Sequence, residues 1–192
     1  MAGCGSDEEQ RSGTPDRTVS ALQKGGLTLV LRHAISDANV NRQELLRSCA
    51  FQRNLTEAGR DQARAIGSGI RALRIPIGDV RASPLCRTRD TARLAFGRVI
   101  VDRKLVSPGV IGTEADDKRR AEALRALAER PPADGENTVL VTHTGNIGTA
   151  FGEETVREGE MLIYGPRARL VGRVRADEWT ELLSSAKTAS AG

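Results

Sequence analysis

Two histidines are all that this 192-residue chain contains, and each closes a short apolar run: Leu29-Val30-Leu31-Arg32-His33 and Val139-Leu140-Val141-Thr142-His143. Imidazole is the side chain best suited to chemistry near neutral pH. Arg32 precedes the first histidine, and Arg87 follows a brief strand expected at Val80 to Ala82. Two imidazoles and two guanidinium groups suit a dianion, because guanidinium forks match phosphate oxygens. A neutral imidazole held between them could attack phosphorus and form a phosphohistidine, with the arginines holding the equatorial oxygens. A lone histidine would read as a buried core residue. The paired placement at two strand ends is what argues for chemistry.

The elements that must position these groups follow from pattern. Leu27 to Leu31 and Thr138 to Thr142 are continuous apolar runs of strand length, which predicts strands covered on both faces of a parallel sheet. Val80 to Ala82, Val99 to Val101, Met161 to Tyr164 and Arg169 to Val174 are the other expected strands. Thr56 caps a helix in which Ala63, Ile66, Ile70 and Leu73 recur at helical spacing. Helices are also expected over Val19 to Lys24, from Ser83-Pro84 onward, from Asp116 to Glu129, from about Gly145 to Phe151, and from Asp177 to Leu183. Alternating strands and helices predict an α/β fold, a three-layer sandwich with a mainly parallel central sheet flanked by helices. In such sheets ligands bind beyond the carboxyl ends of the strands, where both histidines fall.

Several blocks carry a resemblance. Leu31-Arg32-His33-Ala34 resembles the Arg-His signature of the histidine phosphatase superfamily, the phosphoglycerate-mutase-like fold. Asn39 falls six residues after the histidine, where the family often has a phosphate-contacting Asn. Leu55-Thr56-Glu57-Ala58-Gly59-Arg60-Asp61-Gln62-Ala63 is similar to its Leu-Thr-x-x-Gly-x-x-Gln-Ala helix start. Ser83-Pro84-Leu85-Cys86-Arg87-Thr88-Arg89-Asp90-Thr91-Ala92 is similar to its Ser-Pro-Leu-x-Arg-x-x-x-Thr-Ala motif. Val139 to His143 looks like the strand bearing its second histidine. The blocks stand in family order over roughly residues 27–165. The resemblance implies His33 as nucleophile, Arg32 and Arg87 as phosphate ligands, and His143 as a hydrogen-bond donor to the phosphoryl group. It adds Asn39 as a further donor and brings the helix start at Thr144-Gly145-Asn146 near the anion. Ser36 lines up with a frequent loop serine, and Arg89 reads as a surface ion-pair residue. The family's general acid is a Glu in one branch and an Asp directly after the second histidine in another. Thr144 excludes the second arrangement. Glu114 is the candidate acid, with Asp116 as an alternative and Glu160 as a more distant one. Each carboxylate also reads as an ordinary helix-start or loop residue.

Composition bounds the rest. The chain is 39% hydrophobic, 28% charged and only 3% aromatic, with net charge +4, which suits one globular domain with an aliphatic core. No basic run is interleaved with aromatics, so nucleic acid is not an expected partner. No apolar stretch reaches membrane-spanning length, so no transmembrane segment is expected. Cys49 and Cys86 are not at metal-ligand spacing and no metal site is expected. They read as buried thiols, or as a disulfide if the protein works outside the cytoplasm. Met1-Ala2-Gly3-Cys4-Gly5-Ser6 looks like the end of a bacterial lipoprotein signal, without the apolar region such a signal needs. The protein is expected in the cytoplasm if Met1 is the true start, and lipid-anchored outside it if Cys4 is a lipoprotein cysteine. Residues 1–17 are expected to form a disordered tail, 18–186 a single domain and 187–192 a flexible end. The expected activity is that of a metal-independent phosphomonoester hydrolase without cofactor, one of the smaller bacterial histidine phosphatases. Its partner would be a phosphorylated small molecule, such as a sugar phosphate, or a phosphoprotein bearing phosphohistidine. The alternative is a non-catalytic phosphate-binding or signalling module of the same fold.

Overall fold

The computed structural model describes residues 15–37 and 48–189. The motif around Cys4 and the candidate ligand Asn39 lie outside the described residues. The elements in chain order are α1 (Pro15–Lys24), β1 (Thr28–Arg32), α2 (Glu57–Ala72), β2 (Ile77–Ala82), α3 (Cys86–Phe96), β3 (Ile100–Val101), α4 (Glu114–Glu129), β4 (Asn137–Thr142), α5 (Thr144–Phe151), β5 (Met161–Gly165), β6 (Arg169–Val174) and α6 (Trp179–Ala189). The described strands form one six-stranded sheet in the order β3-β2-β4-β1-β5-β6. β1 runs parallel to β4, β4 to β2, and β2 to β3, whereas β5 runs antiparallel to both β1 and β6. The expected mainly parallel α/β sheet is therefore present, with its one reversed strand between β1 and β6.

Alternation across the pleat sends side chains of β1 to opposite faces. Leu29 and Leu31 join Val139 and Val141 of β4 on the face covered by α1, α2, α3 and α6, where Leu22, Ile66, Ile70, Ala92 and Trp179 complete the larger cluster. Val30 and Leu140 point the other way, into a second cluster with Leu124 of α4, Ile147 of α5 and Leu105. That split is the physical content of the unbroken apolar runs: both faces of these strands are dry. Each fully buried Leu, Ile or Val contributes about 1.5–3 kcal/mol of transfer free energy.

Several boundaries differ from the sequence reading, these three among them. The first helix begins at Pro15, not Val19, so it starts inside the tail expected over residues 1–17. α6 runs on to Ala189, into the segment expected to be a flexible end. β2 begins at Ile77, three residues before Val80, with an irregular register between Ile77 and Val80. Gly78 and Asp79 interrupt any apolar pattern there, because this half of the strand is only partly buried.

Cys49 and Cys86 form a disulfide across 37 residues of sequence. It fastens the loop before α2 to the first residue of α3. Closing a loop of this length restricts the unfolded chain and typically stabilises the native state by about 2–4 kcal/mol. The double variant Cys49→Ser/Cys86→Ser is expected to lose about that amount in denaturant titrations. Unchanged stability would show that the bridge is not formed in solution.

Candidate active site

β1, β4 and β2 are neighbours, and their carboxyl ends deliver His33, His143 and Ser83 to one edge of the sheet. The two imidazole rings lie 5.4 Å apart between centroids and are 3% and 2% exposed. His33 Nδ1 sits 2.9 Å from the carbonyl oxygen of Ala34. A carbonyl only accepts, so Nδ1 carries the proton and the lone pair of the neutral ring is left on Nε2. Burial, reinforced by the nearby Arg87, pushes the His33 pKa down to about 3. The ring is therefore uncharged at neutral pH, with its lone pair on Nε2.

His143 is the second buried imidazole. Arg87 Nη2 lies 3.0 Å from its Nδ1, and its Nε2 lies 3.0 Å from the Ser83 hydroxyl. Guanidinium only donates, so Nδ1 accepts and Nε2–H donates to Ser83. Burial, and then the charge of Arg87, holds the His143 pKa well below its usual range. The family role expected for His143, a hydrogen bond donated to phosphate, would require the Ser83 contact to be exchanged. In the present arrangement the ring orients Arg87.

The arginines complete the cluster. Arg32 Nη1 donates to the Val156 carbonyl at 2.5 Å, which fixes one edge of its guanidinium. The buried Nε–H groups of Arg32 and Arg87 have no hydrogen-bond partner among the described residues. Burying such a donor unpaired is costly, so two together mark a place for an acceptor. Burial also draws the Arg87 pKa down to about 10, which leaves it charged at neutral pH.

The sequence blocks prove to be the scaffold around these groups. Thr56 accepts from the Gly59 N–H and so caps α2. A Cβ on Gly59 would lie 1.9 Å from the Ile35 carbonyl oxygen, so only glycine lets α2 approach the chain just after His33. Gln62 then accepts from the Ile35 N–H at 3.1 Å and donates to the Glu158 carbonyl at 3.2 Å. On α3, Thr91 accepts from the Ala34 N–H at 3.0 Å while its hydroxyl donates to the Arg87 carbonyl at 2.7 Å. Thr91 thus ties the chain leaving β1, just after His33, to the helix that carries Arg87.

The structure brings His33, His143, Arg32 and Arg87 together; it leaves Glu114 and Asp116 at the start of α4 and keeps Glu160 within electrostatic reach of Arg32, where it is engaged by other partners. Glu114 opens α4 with an 85% exposed side chain, 3.0 Å from Lys118. Asp116 is the capping-box carboxylate of the same helix, and hydrogen bonds to Thr113 hold its pKa down near 2. Glu160 accepts from the Arg157 N–H at 2.7 Å and faces Arg173. The carboxylate that does reach His33 is Glu158. Its Oε1 lies 3.8 Å from His33 Nδ1, 3.6 Å from Arg32 Nη2 and 3.3 Å from Arg53 Nη2. It also accepts from Ser36 Oγ at 2.9 Å. Glu158 and Arg53 had no motif or spacing to single them out. Ser36, expected only as a loop serine, is held between them. Among the described residues no group of three or more His, Cys, Asp or Glu side chains is placed to hold a metal ion. No described helix is long and apolar enough to cross a membrane.

Comparison with known proteins agrees with this architecture. A model of the histidine phosphatase superfamily (branch 1) matches residues 28–107, which span β1, α2, β2, α3 and the His33 and Arg87 motifs. That segment belongs to the superfamily. No curated protein matches the chain. Among solved structures, the fold is similar to that of the protein histidine phosphatase SixA complexed with tungstate, with TM-score 0.56 and 14% identity over 79% of this chain and 98% of that one. It is also similar to a mutant phosphoserine phosphatase from Entamoeba histolytica in complex with phosphoserine, with TM-score 0.52 and 14% identity over 72% and 89% of the two chains. The open reading frame Rv3214 from Mycobacterium tuberculosis gives TM-score 0.54 and 21% identity over 76% and 95%.

The low pKa of His33 has a consequence for stability. Unfolded, the imidazole titrates near 6.5; folded, it stays neutral down to about 3. Below pH 6.5 the unfolded chain binds protons that the folded chain refuses, so stability falls as pH drops from about 6.5 towards 3. His143 adds to the loss in the same direction. The thermal midpoint is expected to decline across that window and to decline less steeply in His33→Gln. Equal slopes would contradict a neutral buried His33.

Proposed function

We propose that the protein is a phosphomonoester hydrolase that works through a phosphohistidine on His33. The observation that carries this reading is the lone pair left on His33 Nε2, within the field of two half-buried arginines whose buried Nε–H donors lack partners among the described residues. The Nε2 lone pair attacks phosphorus in line. The N–P bond forms as the bond to the leaving oxygen breaks, and that oxygen departs with the electron pair. Arg32 and Arg87 stabilise the charge on the equatorial oxygens through the transition state. Water then attacks phosphorus, the N–P bond returns its electrons to Nε2, and phosphate leaves. The N-terminus of α5, directly after His143, adds backbone N–H groups near the anion.

Glu114 is not assigned the proton-donating step, because it is exposed and paired with Lys118. Leaving groups that depart readily as anions are the substrates least dependent on such a donor. The similar solved proteins include a protein histidine phosphatase and a phosphoserine phosphatase. Phosphohistidine proteins, phosphoserine and sugar phosphates are accordingly the substrates to compare.

Steady-state assays with an aryl phosphate and an alkyl phosphate test the proposal. The wild type is expected to hydrolyse the aryl ester, His33→Ala to lose turnover, and Arg87→Ala to lose about 10²–10³ in kcat/KM. Phosphate binding without turnover of either ester would instead support a non-catalytic binding module. Glu114→Gln is expected to leave the aryl-to-alkyl rate ratio unchanged. A loss of about a hundredfold confined to the alkyl ester would return the acid role to Glu114.

A further inference from the structure

We propose that Glu158 is the electrostatic counterpart of His33, a positioning residue that stabilises the positive charge the ring gains when Nε2 is phosphorylated. This rests on the reading of His33 as nucleophile. With Nδ1–H retained on the Ala34 carbonyl, forming the N–P bond at Nε2 turns a neutral ring into a cation. That cation arises beside Arg32, Arg53 and Arg87, all of which oppose it. Glu158 Oε1, 3.8 Å from Nδ1, is the negative side chain in contact with the ring among the described residues. It faces Nδ1, not the Nε2 where phosphorus binds, so it reaches the charge without barring the phosphoryl group.

The same oxygen organises the cations. It sits 3.6 Å from Arg32 and 3.3 Å from Arg53, and it accepts the Ser36 hydroxyl. Arg53 is itself anchored by Nε donating to the Asp37 carbonyl at 2.6 Å and Nη2 donating to Ser36 at 2.8 Å. The loop bearing Glu158 does not depend on the carboxylate for its place. The Gly159 N–H donates to the carbonyls of Arg32 and His33, and the Glu158 carbonyl accepts from Gln62. Gly159 itself takes a positive φ of 79°, where a Cβ would strike the Gln62 side chain at 2.6 Å. A glutamine at position 158 therefore keeps the fold and the Ser36 contact and removes only the charge.

The role predicts a split that a structural role does not. Losing the carboxylate removes support for the phosphorylated ring, yet it frees Arg32 and Arg53 to bind anions. Glu158→Gln is expected to slow the burst of aryl phosphate cleavage and kcat by at least roughly tenfold, the scale of one charge within about 4–6 Å. Inhibition by inorganic phosphate should be unchanged or tighter. Glu158→Asp should recover part of the rate, with circular dichroism and thermal midpoint confirming that both variants fold. Three results overturn the assignment: an unchanged burst rate in Glu158→Gln, weaker phosphate inhibition in parallel with the lost rate, or no difference between the Asp and Gln variants. The wild type separates the two proposals. If it shows no burst and no turnover, the nucleophile reading fails and this one with it. If it is active and Glu158→Gln matches it, only the role of Glu158 fails.

Discussion

The Nδ1–H of His33 donates to the carbonyl of Ala34, and the chemistry proposed for the site depends on that bond. It fixes the tautomer, and with it the nitrogen that holds the lone pair. It also orients the ring, because Ala34 is itself held through its N–H to Thr91. Burial among arginines then keeps the imidazole unprotonated. As the proposed nucleophile, His33 needs no general base, because one backbone carbonyl and a buried, cationic setting keep its lone pair on Nε2.

Two helices serve that bond from different sides. α2 comes close enough through Gly59 for Gln62 to clamp Ile35, while α3 presents Arg87 and Thr91 on successive turns of one helix face. The disulfide joins the start of α3 to the loop before α2, and the Cys86 N–H donates to Gln52 at 2.7 Å beside it. Arg53, the next residue after Gln52, thereby enters the site from a segment fastened to the helix of Arg87. The cations around His33 are thus set by a covalent bridge, a cap and a close helix approach, and not by the sheet alone.

Much of this was legible in the sequence, for definite reasons. β1 and β4 are apolar on both faces because both faces are covered, and a continuous run reports that directly. His33, Arg32, Arg87 and His143 stand at strand ends or inside ordered motifs, so their convergence could be read from position. Glu158 and Arg53 could not. Each lies in a loop, and each meets His33 or its arginines only because backbone bonds of Gly159 and the Cys49–Cys86 bridge bring it there. Glu114 illustrates the converse. Its place before the second histidine matched a family pattern, but locally the sequence Thr113-Glu114-Ala115-Asp116 builds a capping box and helix start that turns the side chain to solvent. The short reach of a cap decided its fate, and linear order carried no information about it.

The most direct measurement of the central claim is the regiochemistry of a trapped intermediate. The protein is mixed with an aryl phosphate, quenched in alkali to preserve phosphoramidate bonds, and digested, and the phosphopeptide is examined by phosphorus and proton NMR. The bond between His33 and Ala34 predicts phosphorus on Nε2 of His33. Phosphorus on Nδ1, on another residue, or turnover without any phosphohistidine would contradict the account.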